Sequence, residues 1–194
     1  LTNAELVAAV SNAGGLGVLG PNAGQTTVTT SIEETAERMR REIKKTKELT
    51  DKPFAVTLIV DYDLSFTSPI LQIVIEEGVK QLKEHDIKII FRPQTPSIAD
   101  AQAAEKMGAD IYVATGFDEG GTVPDRVIGT FTVVPMIVDA VQDMPVMAAG
   151  GIADVRGVRA AFALGAEGVF AGSRFIPVTE SPAAENVKQL IVDS

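Results

Sequence analysis

The chain has 194 residues, 45% hydrophobic and 22% charged, with a formal net charge of −9. That acidic balance, with 5% aromatics and no Trp, excludes the basic, base-stacking surface of a nucleic-acid binder. Zero Cys and a single His exclude disulfides and argue against a zinc site.

Helical and strand patterns alternate along the chain. Asn3 to Ala13 reads as a helix with Asn3 as N-cap, an apolar face of Leu6, Val7 and Val10, and a stop at Gly14-Gly15. Leu16 to Leu19 is a short buried strand. Ser31 and Glu34 resemble a capping box that opens a charged helix running to Leu49. Phe54 to Val60 is an apolar strand, and Pro69 to Gly78 is helical with Pro in the first turn. Ile87 to Phe91 is a strand, Ser97 to Met107 a helix and Ile111 to Ala114 a strand. Phe131 to Val141 is helical, followed by strand Pro145 to Ala149, helix Val155 to Leu164 and strand Val169 to Ala171. No apolar run reaches the roughly 18–20 residues of a membrane span, and no signal-peptide pattern opens the sequence. The expectation is one cytoplasmic α/β domain over residues 1–194.

Strands apolar on both faces and separated by helices predict a parallel sheet covered by helices. The six predicted strands are two short of a (β/α)8 TIM barrel. Two readings fit this count: an open, doubly wound, six-stranded sheet, or a barrel whose first and fourth strands are missing from the given chain. The richest signal is the pair of turns at Gly150-Gly151 and Gly172-Ser173. Each follows an apolar strand, and parallel strands joined by a helix bring both turns to one sheet edge. Glycine permits close approach to a ligand, and barrels commonly bind phosphate with the loops after strands 7 and 8. Tight strand-to-helix turns also need glycine for steric reasons alone.

The order of motifs resembles the nitronate monooxygenase (2-nitropropane dioxygenase) family, which includes the FMN-dependent enoyl-acyl-carrier-protein reductases. The resemblance is carried by residues 1–20, Lys52 to Leu58, the loop Gly116-Phe117-Asp118-Glu119-Gly120-Gly121, and Pro145 to Ser181. It implies a flavoprotein TIM barrel incomplete at the N-terminus, near residues 79–81 and at the C-terminus. It also implies FMN as cofactor, NAD(P)H as a candidate electron donor and a small-molecule substrate. Composition adds the expectation of no nucleic-acid or membrane partner, and a homodimer is a candidate state that the sequence leaves open. Nitronate or nitroalkane oxidation is the first expected activity. The alternatives are NAD(P)H- and FMN-dependent enoyl-acyl-carrier-protein reduction, or a barrel that binds FMN or phosphate without turnover.

By the same resemblance Gly150, Gly151, Gly172 and Ser173 hold the FMN phosphate, and Gly120 and Gly121 lie in the loop that carries the family's catalytic His. That His corresponds here to Thr122, which cannot act as a base at neutral pH. Glu119 or Asp118 could replace it if burial raised its pKa; a solvated carboxylate is the alternative. Thr57 occupies a strand-end position where the family commonly carries Asn against the flavin ring, although Thr is also an ordinary strand residue. Arg92 and Gln94 follow the strand ending at Phe91, where a barrel places functional groups, and Arg92 is a candidate for the electron-rich edge of a flavin. His85 reads as a helix-end residue and the charged run Glu33 to Lys47 as a solvated face. Met136, Met144 and Met147 read as core packing.

Overall fold

A computed structural model of the chain describes residues 2–26, 31–57, 82–120 and 126–193. The chain divides into two compact units, residues 1–62 with 175–194, and residues 63–174.

In the first unit, helix α1 (Ala4–Asn12) starts where the Asn3 side chain accepts a hydrogen bond from Leu6 N–H at 3.0 Å. Such a cap satisfies one of the orphan donors of the first turn and stabilises a helix by about 1 kcal/mol. Strand β1 (Gly17–Leu19) follows, then helix α2 (Ile32–Leu49), whose Ser31 hydroxyl accepts from Glu34 N–H at 3.2 Å. Strand β2 (Phe54–Val56) pairs in parallel with β1, Leu19 opposite Val56. Val7, Leu19 and Ala23 form the small core here, covered by Met39, Ile43 and Phe54. The predicted solvated face of α2 holds for much of its length, with one correction. Arg38 is only 6% exposed, and it donates from Nε to Ala23 O and from Nη2 to Pro21 O, pinning the loop after β1. Helix α6 (Glu185–Val192) closes this unit's sequence and was not foreseen from its residues.

The second unit carries a four-stranded parallel sheet in the order β3-β4-β5-β6. Its elements are β3 (Ile90–Phe91), α3 (Ile98–Met107), β4 (Ile111–Thr115), α4 (Thr130–Val138), β5 (Val146–Ala149), α5 (Val155–Ala163) and β6 (Gly168–Phe170). Each βα step moves one strand over in the same sense, the arrangement expected of a barrel wall. Tyr112, Ala114, Val146 and Ala148 point from one face into a core with Val133, Val134 and Ile137 of α4 and Ala161 of α5. Burying an aliphatic side chain of this size contributes roughly 1.5–3 kcal/mol, so α4 is anchored chiefly by this stripe. Alternation puts Val113, Thr115 and Ala149 on the opposite face, where they are also buried. A strand covered on both sides is the reason β4 and β5 read as unbroken apolar runs.

The elements lie close to their predicted positions, with shifts at their ends. β3 is restricted to two residues, and α4 stops at Val138 instead of Val141. Met144 is buried in the core and Met136 packs against it, whereas Met147 is half-buried on the other face. Residues 58–81, which include the whole of the predicted helix Pro69 to Gly78 and the site of the expected missing strand, lie outside the described residues. Among the described residues no helix is long and apolar enough to cross a membrane.

Candidate functional site

The carboxyl ends of β3, β4, β5 and β6 lie side by side, so the loops that follow them share one edge of the sheet. Gly150 and Gly151 follow β5 with φ of +101° and +67°, a left-handed pair that turns the chain sharply toward α5. At Gly150 an added Cβ would lie 2.8 Å from Thr130 Oγ1 and 2.9 Å from Gly116 O, so glycine is required there by packing as well as by φ. Gly172, after β6, is different: an added Cβ would have nothing within 4 Å. Ser173, the next residue, is exposed and opens a 3-10 turn (Ser173–Phe175). The loop after β4 joins them, because a Cβ on Gly120 would lie 3.2 Å from Ser173 Oγ. The predicted phosphate residues Gly150, Gly151, Gly172 and Ser173 thus stand on adjacent strand ends, with Gly120 beside them.

A helix N-terminus offers free N–H groups to an anion, but those at the start of α5 are partly taken up within the chain. Asp154 caps α5 itself, accepting from Arg156 N–H at 2.9 Å and Gly157 N–H at 3.3 Å. Donors for a phosphate at this edge are therefore sought in the two glycine turns and the Ser173 hydroxyl, ahead of the first turn of α5.

The two acidic residues of the β4 loop have opposite environments. Asp118 accepts from the Thr130 N–H at 2.8 Å and from the Thr130 hydroxyl at 3.0 Å, supplying the side-chain cap that Gly129 cannot give α4. Those hydrogen bonds, the backbone one foremost, hold its carboxyl below the usual carboxylate range. Asp118 is thus engaged as a helix cap, and its pKa moves in the direction opposite to the rise that a stand-in base needs. Asp118, Thr130, Gly150, Gly151, Ile152 and Gly157 line a cleft of about 230 Å³ behind the loop.

Glu119 is 12% exposed and ion-paired with Arg92 Nη2. Burial pushes its carboxyl up, against the opposing pull of the Arg92 charge and hydrogen bond. The Arg92 guanidinium lies 5.4 Å from the centroid of the Phe170 ring, within cation–π range. Phe91 packs outward on Tyr112, ring centroids 5.8 Å apart, so Arg92 turns to the opposite face of the sheet. On that face Thr115 is 1% exposed, and its hydroxyl has no hydrogen-bond partner among the described residues. Neither Thr115 nor Phe170 was singled out from the sequence. Each looks like ordinary strand material until the register places it beside Arg92.

Gly121 and Thr122 lie outside the described residues. Thr57 donates its N–H to Leu19 O at 2.9 Å in the first unit. Gln94 and His85 are exposed.

A parallel βα sheet whose strands succeed one another in chain order is the wall of a TIM barrel, and comparison with solved structures finds TIM-barrel flavoenzymes. FabK from Thermotoga maritima matches with a TM-score of 0.76 and 34% identity, covering 99% of this chain and 61% of that one. A nitroalkane oxidase from Streptomyces ansochromogenes matches with a TM-score of 0.70 and 23% identity, covering 97% of this chain and 66% of that one. By sequence, the chain matches the nitronate monooxygenase family over residues 1–77 and 70–194, and it belongs to that family. A probable nitronate monooxygenase of Staphylococcus saprophyticus is 33% identical over 250 aligned positions, covering 100% of this chain and 67% of that protein. A (3aS,4S,5R,7aS)-5-hydroxy-7a-methyl-1-oxo-octahydro-1H-indene-4-carboxyl-CoA dehydrogenase of Rhodococcus jostii is 38% identical, covering 95% of this chain and 51% of that protein. The chain thus spans about two thirds of the staphylococcal relatives' length.

Proposed function

We infer that this chain provides the cofactor-holding portion of an FMN-dependent oxidoreductase of the nitronate monooxygenase type. The observation that carries the reading is the pair of glycine turns on adjacent parallel strands, Gly150-Gly151 after β5 and Gly172-Ser173 after β6. The cradle fits a phosphate: the space beside Gly172 is open, and Gly120 leaves only 3.2 Å between its Cβ position and Ser173 Oγ. Backbone donors and a hydroxyl suit an oxyanion, and side chains at either turn would fill the space it needs. Bound FMN supplies the two-electron redox chemistry. The protein's part is to hold the phosphate at Gly150, Gly151, Gly172 and Ser173, to place the β4 loop with Gly120 and Gly121 against the reacting side, and to set charge there with Arg92 and Glu119.

Thr122 stands at the position of the family's His, so proton abstraction from a neutral nitroalkane lacks its usual base. Substrates already ionised, or reduced flavin supplied by NAD(P)H, do not need it. A second reading, NAD(P)H-driven reduction of an enoyl thioester, is favoured by the Rhodococcus jostii relative, whose name gives a carboxyl-CoA substrate.

Reconstitution with FMN tests the class: flavin retained through gel filtration and bleached by NADH or NADPH under anaerobic conditions is expected. Subsequent addition of a nitronate or an enoyl thioester, with recovery of flavin absorbance monitored, separates the two activities. Protein that does not retain FMN overturns the reading.

A further inference from the structure

We propose that Arg92 and Thr115 form a subsite for the carboxylate group of a small organic anion, and that Glu119 is an internal counter-ion which the incoming anion displaces. This inference rests on reading the strand-end edge as the flavin and substrate side.

Register brings the parts together. Thr115 of β4 is opposite Ala149 of β5, and Ala149 is opposite Phe170 of β6, so the three lie level across neighbouring strands on one face. Ala149 is the small member between them. Arg92 emerges on the same face one strand over, its guanidinium above the Phe170 ring. The ring fixes the guanidinium without using its N–H groups. Among the described residues its hydrogen-bonded partner is Glu119, held through Nη2, in a head group that carries five donors.

The Arg92 side chain is 38% exposed while that of Glu119 is 12% exposed. The cation is thus reachable from solvent, and the carboxylate that neutralises it is the more enclosed partner. A planar guanidinium binds a carboxylate best through two parallel N–H bonds, which the internal pair does not use. Thr115 supplies a second signal: a buried hydroxyl without a partner is costly, and a ligand oxygen at this level would satisfy it.

Burial already favours the neutral form of Glu119, and Arg92 is what opposes this. When an anion engages Arg92, that opposition weakens and Glu119 takes up one proton, so the charge of the pocket is conserved. Arg92, from the end of β3, is the charged group paired with Glu119, and Asp118 precedes it on its own loop. The Asp118 carboxylate is bonded to Thr130 at the start of α4. From the β6 side the neighbour of the loop is the uncharged Ser173.

The test is calorimetric titration of the FMN-reconstituted protein with propionate, in two buffers of different ionisation enthalpy, across the pH range from mildly acidic to neutral. Expected for the wild type is binding with proton uptake, and affinity that falls as pH rises between the Glu119 pKa values of the free and occupied states. Glu119→Gln removes the competing anion; it should bind propionate about tenfold more tightly near neutral pH, without proton uptake. Arg92→Met should lose on the order of a hundredfold in affinity. Thr115→Val, nearly isosteric, should weaken propionate binding while leaving the melting temperature unchanged or higher. A purely structural hydroxyl would not move the binding constant. Equal propionate affinity in wild type and Arg92→Met overturns the proposal. So does a Glu119→Gln variant that binds no better and still takes up a proton. FMN content, read separately from flavin absorbance, divides the possibilities. Wild type that holds no FMN yet shows these propionate responses overturns the flavin reading, and flavin-loaded protein without them overturns the subsite.

Discussion

Asp118 and Thr130 are joined twice, through the Thr130 N–H at 2.8 Å and its hydroxyl at 3.0 Å, so a carboxylate in the β4 loop caps the helix that precedes β5. The Thr130 hydroxyl also lies 3.0 Å from Gly150 O, placing the start of α4 against the glycine turn. Loop, helix and turn therefore form one mechanical unit beneath the proposed phosphate cradle.

Asp118→Ala should cost about 0.5–2 kcal/mol of stability, the range for a lost helix cap. The folded-state pKa is depressed by the Thr130 bonds, so the contribution is fully present above the unfolded value of about 3.9. It disappears as pH falls through the lower folded value. Thermal melts of wild type and variant should differ near neutral pH and converge in acid; a constant difference would contradict the cap.

Gly150 and Gly172 should respond oppositely to alanine. Gly150→Ala meets Thr130 Oγ1 at 2.8 Å and a φ of +101°, so it should lower the melting temperature and, through misfolding, the flavin content. Gly172→Ala meets nothing within 4 Å and should leave the melting temperature of the flavin-free protein unchanged while weakening FMN binding. Gly151→Val combines both effects, since φ is +67° and Asp118 Cβ lies 3.2 Å from its Cβ position. Unchanged FMN affinity in Gly172→Ala would remove that residue from the cradle.

Glu105 gathers three backbone donors on one oxygen, Gln142, Asp143 and Met144 N–H at 2.9, 2.8 and 3.0 Å, at the amino-terminal end of β5. These bonds, that of Asp143 foremost, lower its pKa. Glu105→Ala should reduce the melting temperature at neutral pH, with the difference shrinking as acid protonates the wild-type carboxyl. FMN affinity should not change, because this is the end of the strand opposite the candidate site.

Thr122→His should increase nitroalkane oxidation by introducing a group that titrates near neutrality. The NAD(P)H-dependent bleaching of bound FMN should not depend on this change. Efficient nitroalkane oxidation by the unmodified protein, abolished in Glu119→Gln, would instead make Glu119 the base.

Local chemistry determined much of this protein from sequence alone. Asn3, Ser31 and Ser97 marked the starts of α1, α2 and α3, because an N-cap acts on N–H groups only two or three residues away. The apolar runs at Ile111 and Pro145 marked buried parallel strands, and the glycine turns marked the candidate ligand edge. Tertiary structure decided which side chains meet there. The two neighbouring carboxylates Asp118 and Glu119 are equivalent in sequence, yet one bonds the start of α4 and the other, more enclosed, pairs with the solvent-reachable Arg92. The pairing of Arg92 with Glu119, its stacking on Phe170 and the stranded hydroxyl of Thr115 all depend on strand register. Register joins strands about 20 to 40 residues apart in the chain, and it is fixed only when their buried faces pack together.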